Sequence, residues 1–205
     1  MSTDRNLFIT GIGTGVGKTV VSAILTQYLQ ATYWKPIQAG DLHQSDSMFV
    51  RTLIDRHLIV HPERYCLQLP ASPHQAAASE NISINLSDFE LPQIQNSLVV
   101  EGAGGLFVPL NNHSFLIDLI EQFRLPAVLV VRDYLGCINH TILSVQALQY
   151  RNIPIAYVVF NGTFNQATKE IIKKHIPAEV KLLELPEIDQ INKESIDNTV
   201  SYLTG

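Results

Sequence analysis

The chain has 205 residues and a formal charge of −5, with 14 Lys and Arg against 19 Asp and Glu. That length accommodates one sizeable α/β core and predicts a single domain over 1–205, while an acidic balance with scattered basic residues argues against a nucleic acid partner. No run approaches the roughly 20 apolar residues that span a bilayer, and Cys66 and Cys137 stand far apart without neighbouring ligands, so no membrane role and a cytoplasmic location are the expectations.

The start, MSTDRNLFIT, joins a polar head to a short apolar run and reads as a first strand over 7–10 rather than a secretory leader. Val20, Ile24 and Tyr28 give one face of a first helix, and the next strand is expected over 33–36, closed by Lys35 and by Pro36, which stops a helix from starting there. The stretch 41–84 is the least regular and includes Asp46 in a polar loop. Strands follow over 98–101, 127–131, 155–160 and 181–185, with Ile138, Ile142 and Val145 on one face of a helix between the fourth and the fifth. Trp34, Tyr150 and Tyr157 fit core packing, Cys137 fits burial at a helix start, and His74 and His140 fit structural hydrogen bonding. No amphipathic helix is expected in the tail after Lys181. Short apolar runs alternating with helical spacing predict an α/β fold, a doubly wound, mostly parallel sheet with helices on both faces.

The segment TGIGTGVGKT, at 10–19, lies between the first strand and the first helix. Small residues there let backbone N–H groups turn toward an anion, the helix dipole adds a favourable field, Lys18 can reach terminal phosphates, and the Thr19 hydroxyl can ligate Mg²⁺. Standard phosphate-loop spacing would put a glycine at position 12, where Ile12 stands; Gly11 makes the loop one residue longer. Glu101 ends its apolar strand and opens EGAGG, which predicts a carboxylate at the carboxyl edge of the sheet, beside the loop. Lys35 points to the same edge as Lys18, an arrangement suited to neutralising charge in phosphoryl or carboxyl chemistry, although a surface lysine fits its spacing equally well.

Taken in order, TGIGTGVGKT, WKPIQAGD at 34–41, SPH at 72–74, VEGAGGLFVPL at 100–110 and LGCINHTILS at 135–144 resemble the dethiobiotin synthetase family, from about residue 6 to residue 190. EGAGG and GCINH are the more specific segments, since many NTPases share the phosphate loop. The resemblance implies a P-loop NTPase-like fold and an ATP- and Mg²⁺-dependent ligase of biotin biosynthesis acting on 7,8-diaminononanoate and CO2 or bicarbonate as a homodimer. It implies catalytic roles for Lys18 and Lys35, and Mg²⁺ held by Thr19, Asp46 and Glu101. ATP contacts are implied for Gly15, Val16, Gly17, Lys18, Thr19, Val20, Asp46, Glu101, Gly102, Ala103 and Gly104. Asn161 is implied to read the adenine edge, with Pro186, Glu187 and Ile188 near the base. Thr14, Lys35, Ala39, Gly136, Cys137 and Asn139 are implied to contact the substrate, the last three holding its carboxylate tail across a two-fold interface.

Ile12, Gly13 and Gly15 replace the threonine, aspartate and frequent acid of the family loop, and Ala39 replaces a serine or threonine, which implies altered affinity or nucleotide preference. A nucleotide switch of the ParA/MinD type would share loop and fold but carries a signature lysine early in the loop, where this chain has Gly13. A cobyrinate-type amide ligase would share the scaffold but needs an attached glutaminase domain, for which this length leaves no room.

Overall fold

A computed structural model describes residues 6–204; the polar head expected over 1–5 lies outside the described residues. The strands are β1 (Leu7–Gly11), β2 (Thr32–Trp34), β3 (Ile37–Ala39), β4 (Val60–His61), β5 (Tyr65–Leu67), β6 (Leu98–Gly105), β7 (Ala127–Val131), β8 (Ile155–Asn161) and β9 (Lys181–Leu185). The helices are α1 (Lys18–Leu29), α2 (Asp46–Leu53), α3 (Pro73–Ser79), α4 (Leu116–Phe123), α5 (Cys137–Tyr150), α6 (Gln166–Lys174) and α7 (Lys193–Thr204). Seven strands form one parallel sheet in the order β4-β2-β6-β1-β7-β8-β9, and β3 pairs with β5 in a separate parallel ribbon.

The central strands are continuous apolar runs because both faces are covered: every residue of β1 and of β7 is buried. β1 sends Leu7 and Ile9 into one cluster with Val21 and Ile24 of α1 and Ile196 of α7. It sends Phe8 into the other, with Val100 of β6 and Leu116, Ile117 and Ile120 of α4. The chain leaves β1 through α1 toward β2, and later crosses from β6 through α4 to β7 on the other side of β1. The strand order therefore reverses at β1, and the crevice at such a switch point is where doubly wound sheets hold ligands.

Several expectations need correction. The strand expected over 33–36 is divided: β2 ends at Trp34 and β3 starts in the other sheet at Ile37, because Pro36 has no N–H to continue a ladder. β6 does not end at Glu101 but runs on to Gly105, which pairs with Gly11. The face of α1 proposed from Val20, Ile24 and Tyr28 is misplaced; Val21, Ile24 and Leu25 are buried whereas Tyr28 is exposed. In α5 the buried line is Cys137, Thr141, Val145 and Leu148, with Ile138 and Ile142 half-buried, and Tyr150 is 86% exposed rather than in the core. The tail after Lys181 does form a helix: α7 buries Ile196 and Thr199 and packs on α1 and α2. The irregular stretch 41–84 contains α2, α3, β4 and β5. Asp46 is accordingly not a loop residue but the first residue of α2, whose N-cap Ser45 accepts a hydrogen bond from the Met48 amide at 3.3 Å.

Candidate functional site

The phosphate loop connects β1 to α1. Gly11 belongs to the strand: a Cβ there would lie 2.6 Å from Val16 Cγ2, so only glycine lets the loop fold back over the strand end. Gly17 caps α1 in the left-handed region at φ 87, without a side-chain cap, and no acidic residue occupies the first turn. The first N–H groups of α1 and its positive dipole end are thus left for an external anion. Asn161, at the end of β8, donates its side-chain amide to the Val16 carbonyl at 2.9 Å and so ties the loop to the sheet.

Three elements, α1, α2 and β6, and the connection from β2 to β3 bring polar and charged groups to the front of this loop. Lys18 is buried and donates to the Gly13 carbonyl at 3.0 Å. The Thr19 hydroxyl lies 3.0 Å from Asp46 Oδ1 and 2.9 Å from Glu101 Oε1. Lys35 Nζ lies 2.6 Å from Asp46 Oδ2 and 3.1 Å from Glu101 Oε1. At 4% exposure Lys35 is a buried cation beyond the end of β2, not a surface lysine closing it, and Glu101 is 1% exposed.

The electrostatics follow from this packing. Burial alone would depress the Lys35 ammonium, but Glu101 and Asp46 outweigh it and hold Lys35 above the ordinary lysine value. Burial alone would raise the Asp46 carboxyl, yet Lys35 and the Thr19 hydroxyl hold it below the usual carboxylate range. Lys18 is depressed by burial, with Glu101 only partly compensating. Added phosphate charge would favour the ammonium forms of both lysines. Thr19 Oγ1, Asp46 Oδ1 and Glu101 Oε1 make a set of hard oxygen donors, while no group of three or more His, Cys, Asp or Glu suited to a metal occurs among the described residues. Such a set fits a small cation that keeps phosphate and water in its shell rather than one fully caged by protein.

These groups open into a cavity of about 700 Å³ lined by Thr14, Gly15, Gly17, Lys18, Thr19, Lys35, Ala39, Asp46, Glu101, Ala103 and Gly104. The same cavity takes in residues to which the sequence reading gave no individual role, notably Gln38, Asp41, Gln44 and 70–73. Gln38 links two parts of the wall: it donates to the Gly40 carbonyl at 3.0 Å and accepts from the Asp46 amide at 3.3 Å. In the sequence this wall was marked by the segments WKPIQAGD at 34–41 and SPH at 72–74, without Gln38 being given a role.

Other candidate residues lie elsewhere. Val16 and Val20 belong to the loop and α1 without lining the cavity, and Gly102 packs against Phe8 and Leu116. Asn161 lies behind the loop, and Pro186, Glu187 and Ile188 follow β9, where Glu187 pairs with Arg132 at 2.5 Å and accepts from the Thr163 amide. Gly136, Cys137 and Asn139 sit at the uncapped start of α5, outside the cavity. Cys137 is buried, and burial raises its thiol pKa. His74 bonds the Ser72 hydroxyl at 2.9 Å and His140 the Tyr134 hydroxyl at 2.6 Å, consistent with structural roles.

A parallel α/β sheet with a Gly-Lys-Thr loop at its switch point, faced by a strand-borne carboxylate, defines a P-loop NTPase. Solved structures agree on the fold. A ParA family ATPase from Chlorobium tepidum superposes with a TM-score of 0.55 at 12% identity, over 98% of this chain and all of its own. The MinC:MinD cell division protein complex of Aquifex aeolicus gives 0.53 at 15% identity, over 98% and 96%. The sequence matches the family described as AAA domain over residues 5–195. It is 48% identical over 194 residues to the ATP-dependent dethiobiotin synthetase BioD of Cytophaga hutchinsonii, covering 94% of this chain and 93% of that one. It is 44% identical over 192 residues to the BioD of Rhodopseudomonas palustris strain BisB18, covering 93% and 91%. The chain belongs to the dethiobiotin synthetase family.

Proposed function

We propose that this chain uses ATP to close a cyclic urea between the two amines of 7,8-diaminononanoate and CO2, giving dethiobiotin, ADP and phosphate. Family membership makes it an ATP-dependent ligase. The observation that carries the finer reading is the buried Lys35 ammonium, paired with Asp46 and Glu101 beside Lys18 and Thr19 of the phosphate loop. A switch of the ParA/MinD type would carry its additional lysine early in the loop, where this chain has Gly13; a buried lysine brought into the same cavity from beyond β2 suits a reaction in which a carbamate and a phosphoryl group meet.

One amine adds to CO2 and loses a proton, giving a carbamate whose oxygens face Lys35. The carbamate oxygen attacks the γ-phosphorus, ADP leaves, and a carbamic-phosphoric anhydride forms. The second amine then attacks the anhydride carbon and loses a proton, the C–O bond to phosphate breaks, and phosphate leaves as the ring closes. Lys18 and the first N–H groups of α1 hold the phosphates, and Lys35 offsets charge on the carbamate. Thr19, Asp46 and Glu101 would hold Mg²⁺, since their hard oxygens already converge on Thr19 Oγ1. When bound, Mg²⁺ supplies charge neutralisation on the transferred phosphoryl group.

We assign the remaining contacts on the same reading. Thr14 and Ala39 face the substrate side of the cavity. Asn161, Pro186, Glu187 and Ile188 flank the nucleobase. The uncapped N-terminus of α5, at Gly136, Cys137 and Asn139, takes the substrate carboxylate across a homodimer interface. That interface is supported by the exposed Leu135, Leu143 and Tyr150 on or next to one face of α5. The free thiols of Cys66 and Cys137 suit the cytoplasm, and no helix among the described residues is long and apolar enough to cross a membrane. The reading is tested by phosphate release from ATP by the purified chain with and without the diamine: release should require it, and release independent of it would favour a switch ATPase.

A further inference from the structure

Tyr33 lies on β2, and its register against β6 places it opposite Val99. Side chains alternate along both strands, so Tyr33 shares a sheet face with Val99 and Glu101, while Trp34 shares the other face with Val100. The core clusters divide in the same way. Tyr33 is 0% exposed, and its hydroxyl donates to Glu101 Oε2 at 2.9 Å. The other oxygen of the same carboxylate, Oε1, accepts from Thr19 at 2.9 Å and from Lys35 at 3.1 Å.

From this division of the two oxygens we infer that Tyr33 is a positioning residue: its phenol holds Glu101 Oε2 from inside the core so that Oε1 faces the phosphate loop. A phenylalanine would fill nearly the same volume, and the buried hydroxyl is satisfied through its partner. Glu101 enters from mid-strand on a flexible side chain, and the glycines that follow it give no lateral support. Without a donor on Oε2 the carboxylate is free to rotate, and both oxygens compete for Thr19 and Lys35. Tyr33 thus acts on metal and nucleotide through Glu101, without touching either.

The inference rests on the proposed Mg²⁺ and nucleotide site but not on the identity of the diamine, so it is tested by binding. The concentration of Mg²⁺ that half-maximally tightens ADP binding is measured by calorimetry for the parent chain, Tyr33→Phe and the packing control Trp34→Phe, together with ADP affinity in chelator. Tyr33→Phe should raise the Mg²⁺ midpoint about tenfold, the scale of one hydrogen bond to a charged group, with ADP affinity in chelator unchanged; Trp34→Phe should leave the midpoint in place. A midpoint in Tyr33→Phe equal to the parent's would overturn the role. If Tyr33→Phe does not fold, 4-aminophenylalanine at position 33 restores an N–H donor on the same ring; a parental midpoint supports the inference, and a tenfold rise overturns it. A parent chain whose ADP binding ignores Mg²⁺ would remove the metal site, and this inference with it, while leaving dethiobiotin formation to its own assay.

Discussion

Lys35 and Glu101 face each other at 3.1 Å with both side chains almost wholly withdrawn from solvent. A buried pair of this kind is weak evidence for stability, since desolvation offsets much of the attraction, but losing one member leaves an uncompensated charge. Lys35→Ala should lower turnover by at least about a hundredfold, the scale of one preorganised charge contact. It should also destabilise the chain by about 3–5 kcal/mol, the cost of stranding Glu101. Steady-state kinetics and denaturant unfolding check the two halves separately, and near-normal turnover would remove Lys35 from the mechanism.

The pH dependence of stability follows from the signs of two shifts. Asp46 is held below its ordinary 3.8 in the fold, so its contribution is fully present above that value and is lost as pH falls below it. Lys35 is held above 10.5, so its contribution is fully present below that value and is lost as pH rises through the raised one. The difference in unfolding free energy between the parent chain and the double variant Lys35→Met with Glu101→Gln, which strands no buried carboxylate, should therefore be flat through neutral pH and shrink at both extremes. A steep slope of that difference near neutrality would contradict the assignment.

The bond from Asn161 to the Val16 carbonyl makes the loop conformation testable. Asn161→Ala should raise the KM for ATP about tenfold, the loss of one buried hydrogen bond. At Gly17, an added Cβ would lie 2.1 Å from Asn161 Nδ2 on a left-handed backbone. Gly17→Ala should therefore weaken nucleotide binding further than Asn161→Ala, and combining the two should recover part of the loss. Strict additivity of the two changes would contradict a shared contact.

Ala39 lines the cavity, at a position where the family resemblance implies a serine or threonine. Ala39→Ser should lower the KM for the diamine about fivefold with kcat unchanged, as expected of a hydrogen bond made equally in ground and transition states. The acid that the resemblance implies at Gly15 is harder to introduce: space there is open, but its φ of +74 strains any L side chain. Comparing kcat/KM for ATP, CTP and GTP reads out the altered loop, and equal values would mean that base selectivity has been lost.

Much of this architecture was legible in the sequence. The strands β1, β6, β7 and β8 appear as apolar runs because parallel strands inside the sheet are covered on both faces. β9, a largely exposed edge strand, shows only through Leu182, Leu183 and Leu185. The phosphate loop is marked by Gly-Lys-Thr between a strand and a helix despite its lengthened spacing. The break between β2 and β3 was missed because Lys35 and the bend at Pro36 interrupt the ladder for only two residues, so the run looked continuous. Asp46 read as an exposed loop acid because its partner is Lys35, a contact made only when the segment after β2 and the start of α2 come together; the side chain itself stays partly exposed. Tyr33 looked like any strand aromatic: its hydroxyl gains a partner through the pairing of β2 with β6, across more than sixty residues of chain. The helix α7 was missed because its stripe is carried by few apolar side chains, chiefly Ile196, Val200 and Leu203.

The central claim is the ring closure itself, and mass spectrometry tests it directly. Purified chain incubated with diaminononanoate, ¹³C-bicarbonate, Mg²⁺ and ATP should yield dethiobiotin heavier by the single label, with one phosphate released per molecule formed and product from Lys35→Ala accumulating at least about a hundredfold more slowly. Phosphate release that proceeds at the same rate without the diamine, with no labelled dethiobiotin, would contradict it.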